Sequence, residues 1–194
     1  MQTISSLYTA RFEVKKSLFI AHLSPFKDFK KHLENLKNTH PKAVHFVWAY
    51  RFLNENHQTV EDKSDDGEPK NTSALPCLNV LRGKELINVS VVVVRYFGGI
   101  KLGTGGLVRA YSEAVNLAVK EASLEPFELK ECVKFSLTFK NIPKMEHFLT
   151  KQNISFQREF QSDFVIFTLE LNEREKVEFE TFSKIFNPQD FKFL

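Results

Sequence analysis

Two hydrophobic periods divide this chain. Phe12 to Val14 and Leu18 to Leu23 read as paired strands turning near Lys15-Lys16. Ser24-Pro25 then supplies a cap and an N1 proline, and Phe26, Phe29, Leu33 and Leu36 recur at helical spacing until His40-Pro41. From Ala43 to Phe52 the period drops to two, with Val44, Phe46, Trp48 and Tyr50 on one face and His45, Val47, Ala49 and Arg51 on the other. A turn at 54–57 and an acidic loop from Glu61 to Pro69 lead to a short helix capped by Thr72 and running to Arg82, with Pro76 in its first turn. Val89 to Tyr96 is an apolar run that reads as a strand. A helix is expected from Leu107 to Ala122.

The pattern changes after Leu124-Glu125-Pro126-Phe127-Glu128, which divides the chain into domains at 1–128 and 129–194. The second part alternates at Val133, Phe135, Leu137 and Phe139, turns helical from Pro143 to Lys151, and alternates again at Ile154, Phe156, Arg158 and Phe160. A turn at 161–163, a strand from Phe164 to Leu171, a helix from Glu173 to Phe186 and a strand from Asp190 to Leu194 complete the order β-α-β-β-α-β. That order is ferredoxin-like, and the whole chain is α+β. Twelve of the 20 phenylalanines lie here, and strand and helix spacing accounts for most of them. An RNA-stacking face is the competing explanation, although the glycine-aromatic signature of an RNA-recognition motif is absent.

Composition narrows the function classes without choosing one. Residues 1–128 hold 17 Lys and Arg against 14 Asp and Glu, whereas 129–194 hold 10 of each. The net charge of +3 is too small to imply nucleic-acid binding by itself. Its local source, Lys27, Lys30, Lys31, Lys37 and Lys42 with His32 and His40, reads most simply as a solvated helix face. No apolar run reaches membrane-spanning length, the N-terminus lacks the layout of a signal peptide, and Cys77 and Cys132 suit a reducing compartment. A cytoplasmic protein without a membrane partner is expected.

Candidate chemistry concentrates after the valine strand. Five of the seven glycines fall between Gly98 and Gly106: Gly98, Gly99, Gly103, Gly105 and Gly106. A glycine-rich strand exit that opens a helix presents free amides and the positive end of the helix dipole, the elements of an anion site. Arg95, Tyr96, Lys101, Thr104 and Arg109 accompany the glycines. The stretch fits neither standard phosphate loop: Thr104 stands where a P-loop requires lysine, and Val108 where a dinucleotide fingerprint requires glycine. The competing explanation is a tight connection with close backbone packing, in which Arg109 pairs with Glu113.

Asp65, Asp66 and Glu68 offer hard oxygen ligands that suit Mg²⁺, or instead cap a neighbouring helix or pair with the basic residues of the glycine loop. His45 and Thr72 are further candidates for the lining of a cleft. Neither the histidines nor the cysteines show metal-ligand spacing, and nothing near Cys77 supplies a base.

The stretches Ser64-Asp65-Asp66-Gly67-Glu68-Pro69 and Val92 to Tyr111, with Ser17-x-Phe19 and His45-x-x-Trp48-Ala49-Tyr50, resemble the YigZ/IMPACT family. The resemblance implies an N-terminal fold like the second domain of a small-subunit ribosomal protein, a mixed sheet backed by helices. It also implies a C-terminal domain similar to a ferredoxin-like domain of elongation factor G. Asn71 and Ala74 replace two usual glycines of the family, and Phe46-Val47 replaces its usual Asn-Cys. Asn adopts a left-handed conformation readily and Ala does not, so a ligand that the family's turn admits to the backbone would not find the same fit here. The resemblance further implies a non-enzymatic regulator of translational initiation or stress response, acting through RNA, the ribosome or a partner protein. The alternative is a Mg²⁺-dependent enzyme acting on a phosphate-containing substrate; no other cofactor is expected.

Overall fold

The computed structural model describes residues 1–194, which form two compact units, Met1–Phe127 and Glu128–Leu194. The first contains β1 (Gln2–Thr3), β2 (Tyr8–Val14), β3 (Ser17–Pro25), α1 (Phe29–Thr39), β4 (His45–Leu53), β5 (Thr59–Ser64), α2 (Ala74–Gly83), β6 (Val89–Tyr96), α3 (Thr104–Glu121) and β7 (Glu125–Pro126). Its main sheet has the order β2-β3-β6-β4-β5.

β6 explains the sheet. It lies between β3 and β4, with Val93 opposite both Ala21 and Val47. Val89, Val91 and Val93 pack with α2 and α3, while Val92 and Val94 join the core formed with α1. Helices thus cover both faces of β6. Phe19 and Tyr111 anchor the larger core in an edge-to-face pair with centroids 5.0 Å apart. Complete burial of a ring such as Phe19 contributes about 2–3 kcal/mol. On β4, Phe46, Trp48 and Tyr50 face α1 and Val47 and Ala49 face α2 and α3, so the period of two sorts its residues between two cores.

Three expectations are corrected. The sheet is antiparallel in every ladder rather than mixed. The crossover through α1 brings β4 in parallel to β3, but a strand's width away, and β6 fills the gap running the opposite way. Ser24 is no helix cap, because the β3–β6 ladder continues to Pro25 opposite Val89 and the Ser24 and Ser90 hydroxyls meet at 3.0 Å. A 3-10 turn at Phe26–Asp28 then precedes α1. Finally, α3 begins at Thr104, so Gly105 and Gly106 lie within its first turn rather than in the loop.

The second unit contains β8 (Glu131–Thr138), α4 (Ile142–Lys151), β9 (Phe156–Phe160), β10 (Phe164–Leu171), α5 (Glu173–Ser183) and β11 (Phe191–Phe193). The antiparallel order β11-β8-β10-β9 is the ferredoxin-like arrangement. Phe135 and Phe167 stack at 5.1 Å in the core, and Phe148 of α4 stacks on Phe182 of α5 at 3.9 Å. The face of the sheet away from this core carries Lys134, Ser136, Gln157, Thr168 and Lys192 among its residues. The phenylalanines are therefore largely packing residues rather than a stacking platform. α5 opens with a reciprocal capping box in which the Asn172 side chain accepts from the Glu175 amide and the Glu175 carboxylate from the Asn172 amide. No helix is long and apolar enough to cross a membrane.

Candidate anion-binding cleft

The acidic loop and the glycine loop meet, and between them they line a cleft of about 500 Å³. β6 delivers Arg95 to its floor, where the residue is only 6% exposed. A guanidinium that deep needs a counter-charge. Glu68 provides it: Oε1 accepts from Arg95 Nη1 and from the Tyr111 hydroxyl at 2.7 Å. Burial, reinforced by the Glu68 carboxylate, pushes the Tyr111 phenol far above its ordinary range and keeps it a donor. Arg95 Nε is buried with no acceptor.

His45 stands beside this network with a defined tautomer. Its Nδ1 lies 2.7 Å from the Asp66 carbonyl, which can only accept, so Nδ1 carries the hydrogen. Nε2 lies 3.9 Å from Glu68 Oε1. No hydroxyl or thiol of the chain bonds to Nε2.

The three acidic candidates do not converge on a metal. Asp65 accepts from the amides of Asn71 at 2.9 Å and Ala74 at 2.8 Å and from the Ser73 hydroxyl at 2.6 Å, and so caps α2 from outside the helix. Burial would raise its carboxyl, but the Ser73 hydroxyl and these amides outweigh burial and hold it below the ordinary range. Asp66 Oδ2 accepts from the Phe46 amide at 2.6 Å, and Glu68 is taken by Arg95 and Tyr111. No group of three or more His, Cys, Asp or Glu side chains is arranged to hold a metal ion, and the bonds these three make are those of the capping and ion-pair alternatives to a Mg²⁺ site. Thr72 does not cap α2 either. Its hydroxyl donates to the Pro69 carbonyl at 2.6 Å, and it lies outside the cleft lining. Asn71 takes the left-handed conformation expected of it, with φ 62°, whereas Ala74 is the first residue of α2 with its methyl in the core. The turn therefore accepts Ala74 without backbone strain. Cys77 is fully buried and its thiol is pushed up by burial, as suits a packing residue.

The glycine stretch separates into parts with different causes. A Cβ on Gly98 would collide with the Lys16 carbonyl and the Ser17 amide, and the Gly98 amide donates to Ser17 Oγ at 3.1 Å. That glycine exists for packing against the β2–β3 hairpin. Gly99 and Gly103 have φ of 85° and 72°, the second at the N-cap of α3. The Leu107 amide donates to the Gly103 carbonyl, which leaves the amides of Thr104, Gly105 and Gly106 without an acceptor in the protein. Thr104 and Gly105 are exposed, with Lys101 exposed beside them on the cleft lining.

Two expected members fall elsewhere. Tyr96 turns to the opposite face of the sheet, where its hydroxyl meets His40 Nδ1 at 2.8 Å. Arg109 is exposed and lines a separate depression with Lys15, Phe12 and Glu113, and forms no ion pair with Glu113. Alternation along β6 and the helical turn at α3 send neighbours in sequence to different surfaces. Sequence reasoning missed Phe97, Leu102 and Leu107 as cleft walls and Tyr111 as the partner of Glu68. The spacing of Thr104, Leu107 and Tyr111 on one face of α3 was the available signal.

Residues 15–119 match the Impact N-terminal domain family. The chain belongs to the IMPACT family. IMPACT family member YvyE of Bacillus subtilis is 33% identical over 172 residues, covering 87% of this chain and 73% of that protein. YigZ of Escherichia coli is 40% identical over 116 residues, 58% of this chain and 57% of its own. Protein IMPACT of Oryctolagus cuniculus is 32% identical over 142 residues, 69% of this chain and 44% of that protein. A crystal structure of a hypothetical protein superposes on 100% of this chain and 95% of its own at TM-score 0.72 and 28% identity. The family match spans both loops of the cleft.

Proposed function

We propose that this IMPACT-family protein acts in the control of translation by binding rather than by turnover, with phosphates of RNA as its contact. Family membership supports the setting, because the resemblance to eukaryotic members implies a regulator of translational initiation. The observation that carries the contact is the row of unpaired amides at Thr104, Gly105 and Gly106 beside exposed Lys101. Arg95 no longer counts among the binding cations, since Glu68 neutralises it, whereas Arg109 adds charge from the neighbouring depression.

Contacts of this kind release counterions, so affinity falls steeply with salt. The test is a filter-binding titration with a structured RNA across a salt series. Lys101→Ala and Arg109→Ala should each weaken binding and lower the salt slope by about one. Absence of binding at low salt, or binding indifferent to both substitutions, refutes the proposal. Capture of a protein partner without any RNA affinity would assign the cleft to protein recognition instead.

A further inference from the structure

The cleft is more than a place where a phosphate backbone passes. Its cationic side consists of the α3 amides and Lys101, its floor of Arg95 and Glu68, and its wall of exposed Phe97 with Val44 and Leu102. The Arg95 guanidinium sits 5.7 Å from the Phe97 ring centroid, so it lies among cleft residues while its buried Nε lacks an acceptor. A helix N-terminus offers amides to any anion, but here the Glu68 carboxylate, its side chain only 3% exposed, also lines the cleft and leaves Oε2 without a protein donor, which marks a place for a donor from outside the chain.

The missing group belongs to a molecule of mixed character. Glu68 Oε1 already takes Arg95 and Tyr111, and no protein donor bonds to Oε2. His45 holds its hydrogen on Nδ1 and leaves Nε2 as an acceptor. A carboxylate and an imidazole acceptor suit hydroxyl donors, and a carboxylate is a usual partner for ribose hydroxyls. Phe97, nearly half exposed with no aromatic neighbour of its own, offers a face for a planar base. A simple inorganic anion uses only one side of this set.

We propose that the cleft binds a single nucleotide unit, with its phosphate at the α3 N-terminus and Lys101, its vicinal ribose hydroxyls toward Glu68 and His45, and its base against Phe97. The unit comes either from a free mononucleotide or from the 3′ end of an RNA. The proposal deepens the RNA reading and depends on it only for the second source.

The experiment is isothermal titration calorimetry of the full chain with AMP, 2′,3′-dideoxy-AMP and inorganic phosphate. Saturable AMP binding is expected, about tenfold weaker in Phe97→Ala because base–aromatic contact is lost, and several-fold weaker in Lys101→Ala. The dideoxy compound should bind at least about tenfold more weakly than AMP, one lost hydrogen bond to a charged group or more. Phe97 and Lys101 are exposed, so both variants should keep the fold, which circular dichroism checks. No saturable AMP binding, or equal affinity in wild type and Phe97→Ala, overturns the proposal. An RNA ending in a 3′-hydroxyl is compared with the same RNA ending in a 3′-phosphate. A preference for the hydroxyl end assigns the RNA source, and equal binding with AMP competing at neither end assigns the free nucleotide. RNA binding that needs Lys101 but is accompanied by no AMP binding leaves the functional reading standing and removes this one. AMP binding without RNA binding does the reverse.

Discussion

Asp65 is the strongest test of how the acidic loop works. It stands outside α2 yet serves as its cap, accepting from the Asn71 and Ala74 amides and from the buried Ser73 hydroxyl. Asp65→Ala removes the acceptor and leaves Ser73 and the Ala74 amide with no partner. Loss of an N-cap costs about 0.5–2 kcal/mol, and hydrogen bonds to a charged acceptor contribute about 1.5–3 kcal/mol each without adding fully. The loss should be about 3 kcal/mol for Asp65→Ala and about 1 kcal/mol for Asp65→Asn, which keeps an oxygen. Trp48, the one tryptophan, lies on β4 of the first unit, so its emission reports that unit during urea unfolding. With a slope of about 2 kcal/mol per molar urea, the Asp65→Ala midpoint should fall by about 1.5 M.

The pH dependence has a fixed sign. The Asp65 carboxyl titrates below its ordinary value, so its contribution is complete above the unfolded value of about 4 and disappears as pH falls through the folded value. The gap between wild type and Asp65→Ala should hold constant from neutral pH to about 5 and narrow below about 4. A midpoint within about 0.3 M of wild type near neutrality would refute the capping argument, as would a gap that does not narrow in acid.

Gly98→Ala should destabilise the first unit by about 3 kcal/mol or abolish its folding, because the added methyl meets hairpin backbone. Gly105→Ala has open space around its Cβ and should stabilise α3 by about 0.5–1 kcal/mol while weakening RNA binding by obstructing the amides; equal midpoints in urea for the two variants contradict both assignments. His22 is lowered from 6.5 to about 4 by burial, then by His32, His40 and Arg11, so the unfolded chain takes up its proton first. Stability should therefore fall as pH drops from 6.5 toward 4, at up to about 1.4 kcal/mol per pH unit, and His22→Gln should flatten that slope in Trp48-monitored unfolding; an unchanged slope excludes His22 as its source.

The sequence carried most of the fold because each main element had one dominant cause. The valine run read as a strand, and the alternation of β4 survived intact with each parity assigned to its own core. The second unit was legible in full order, since its apolar spacing switches cleanly between two and helical repeats. The capping box at Asn172 and Glu175 was equally present in the sequence as a motif four residues long, and passed unread. Failures arose where a tertiary partner overrode a local signal. Ser24 carries the chemistry of a cap, but the ladder with β6 claims it for a strand. Thr72 likewise has cap chemistry, yet Asp65, reached only when the loop folds back, takes the role. The antiparallel sheet was hidden for the same reason, since strand direction depends on which gap β6 enters.

The candidate site divides along the same line. Glycine is legible because its cause is backbone geometry, which sequence reports directly, and the helix start after Gly103 was foreseen to within a turn. Charge is not legible in this way. Arg95, Lys101 and Arg109 look equivalent in sequence, but pairing with Glu68, exposure on the cleft and departure to another depression give them three different roles. The consequence is energetic. With Arg95 neutralised, the remaining electrostatic contacts at the cleft are exposed ones, each contributing only about 0.3–1 kcal/mol. Such contacts cannot alone hold one isolated phosphate against competing salt. Useful affinity must then come either from several phosphates engaged at once, which requires Arg109 and a long RNA, or from a second kind of contact inside the cleft. The apolar wall at Phe97 supplies a contact of that second kind, so the salt dependence of binding in Phe97→Ala distinguishes the two. If many phosphates dominate, Phe97→Ala keeps a steep salt slope and nearly full affinity; if the cleft grips one nucleotide, affinity falls about tenfold while the slope is unchanged and shallow.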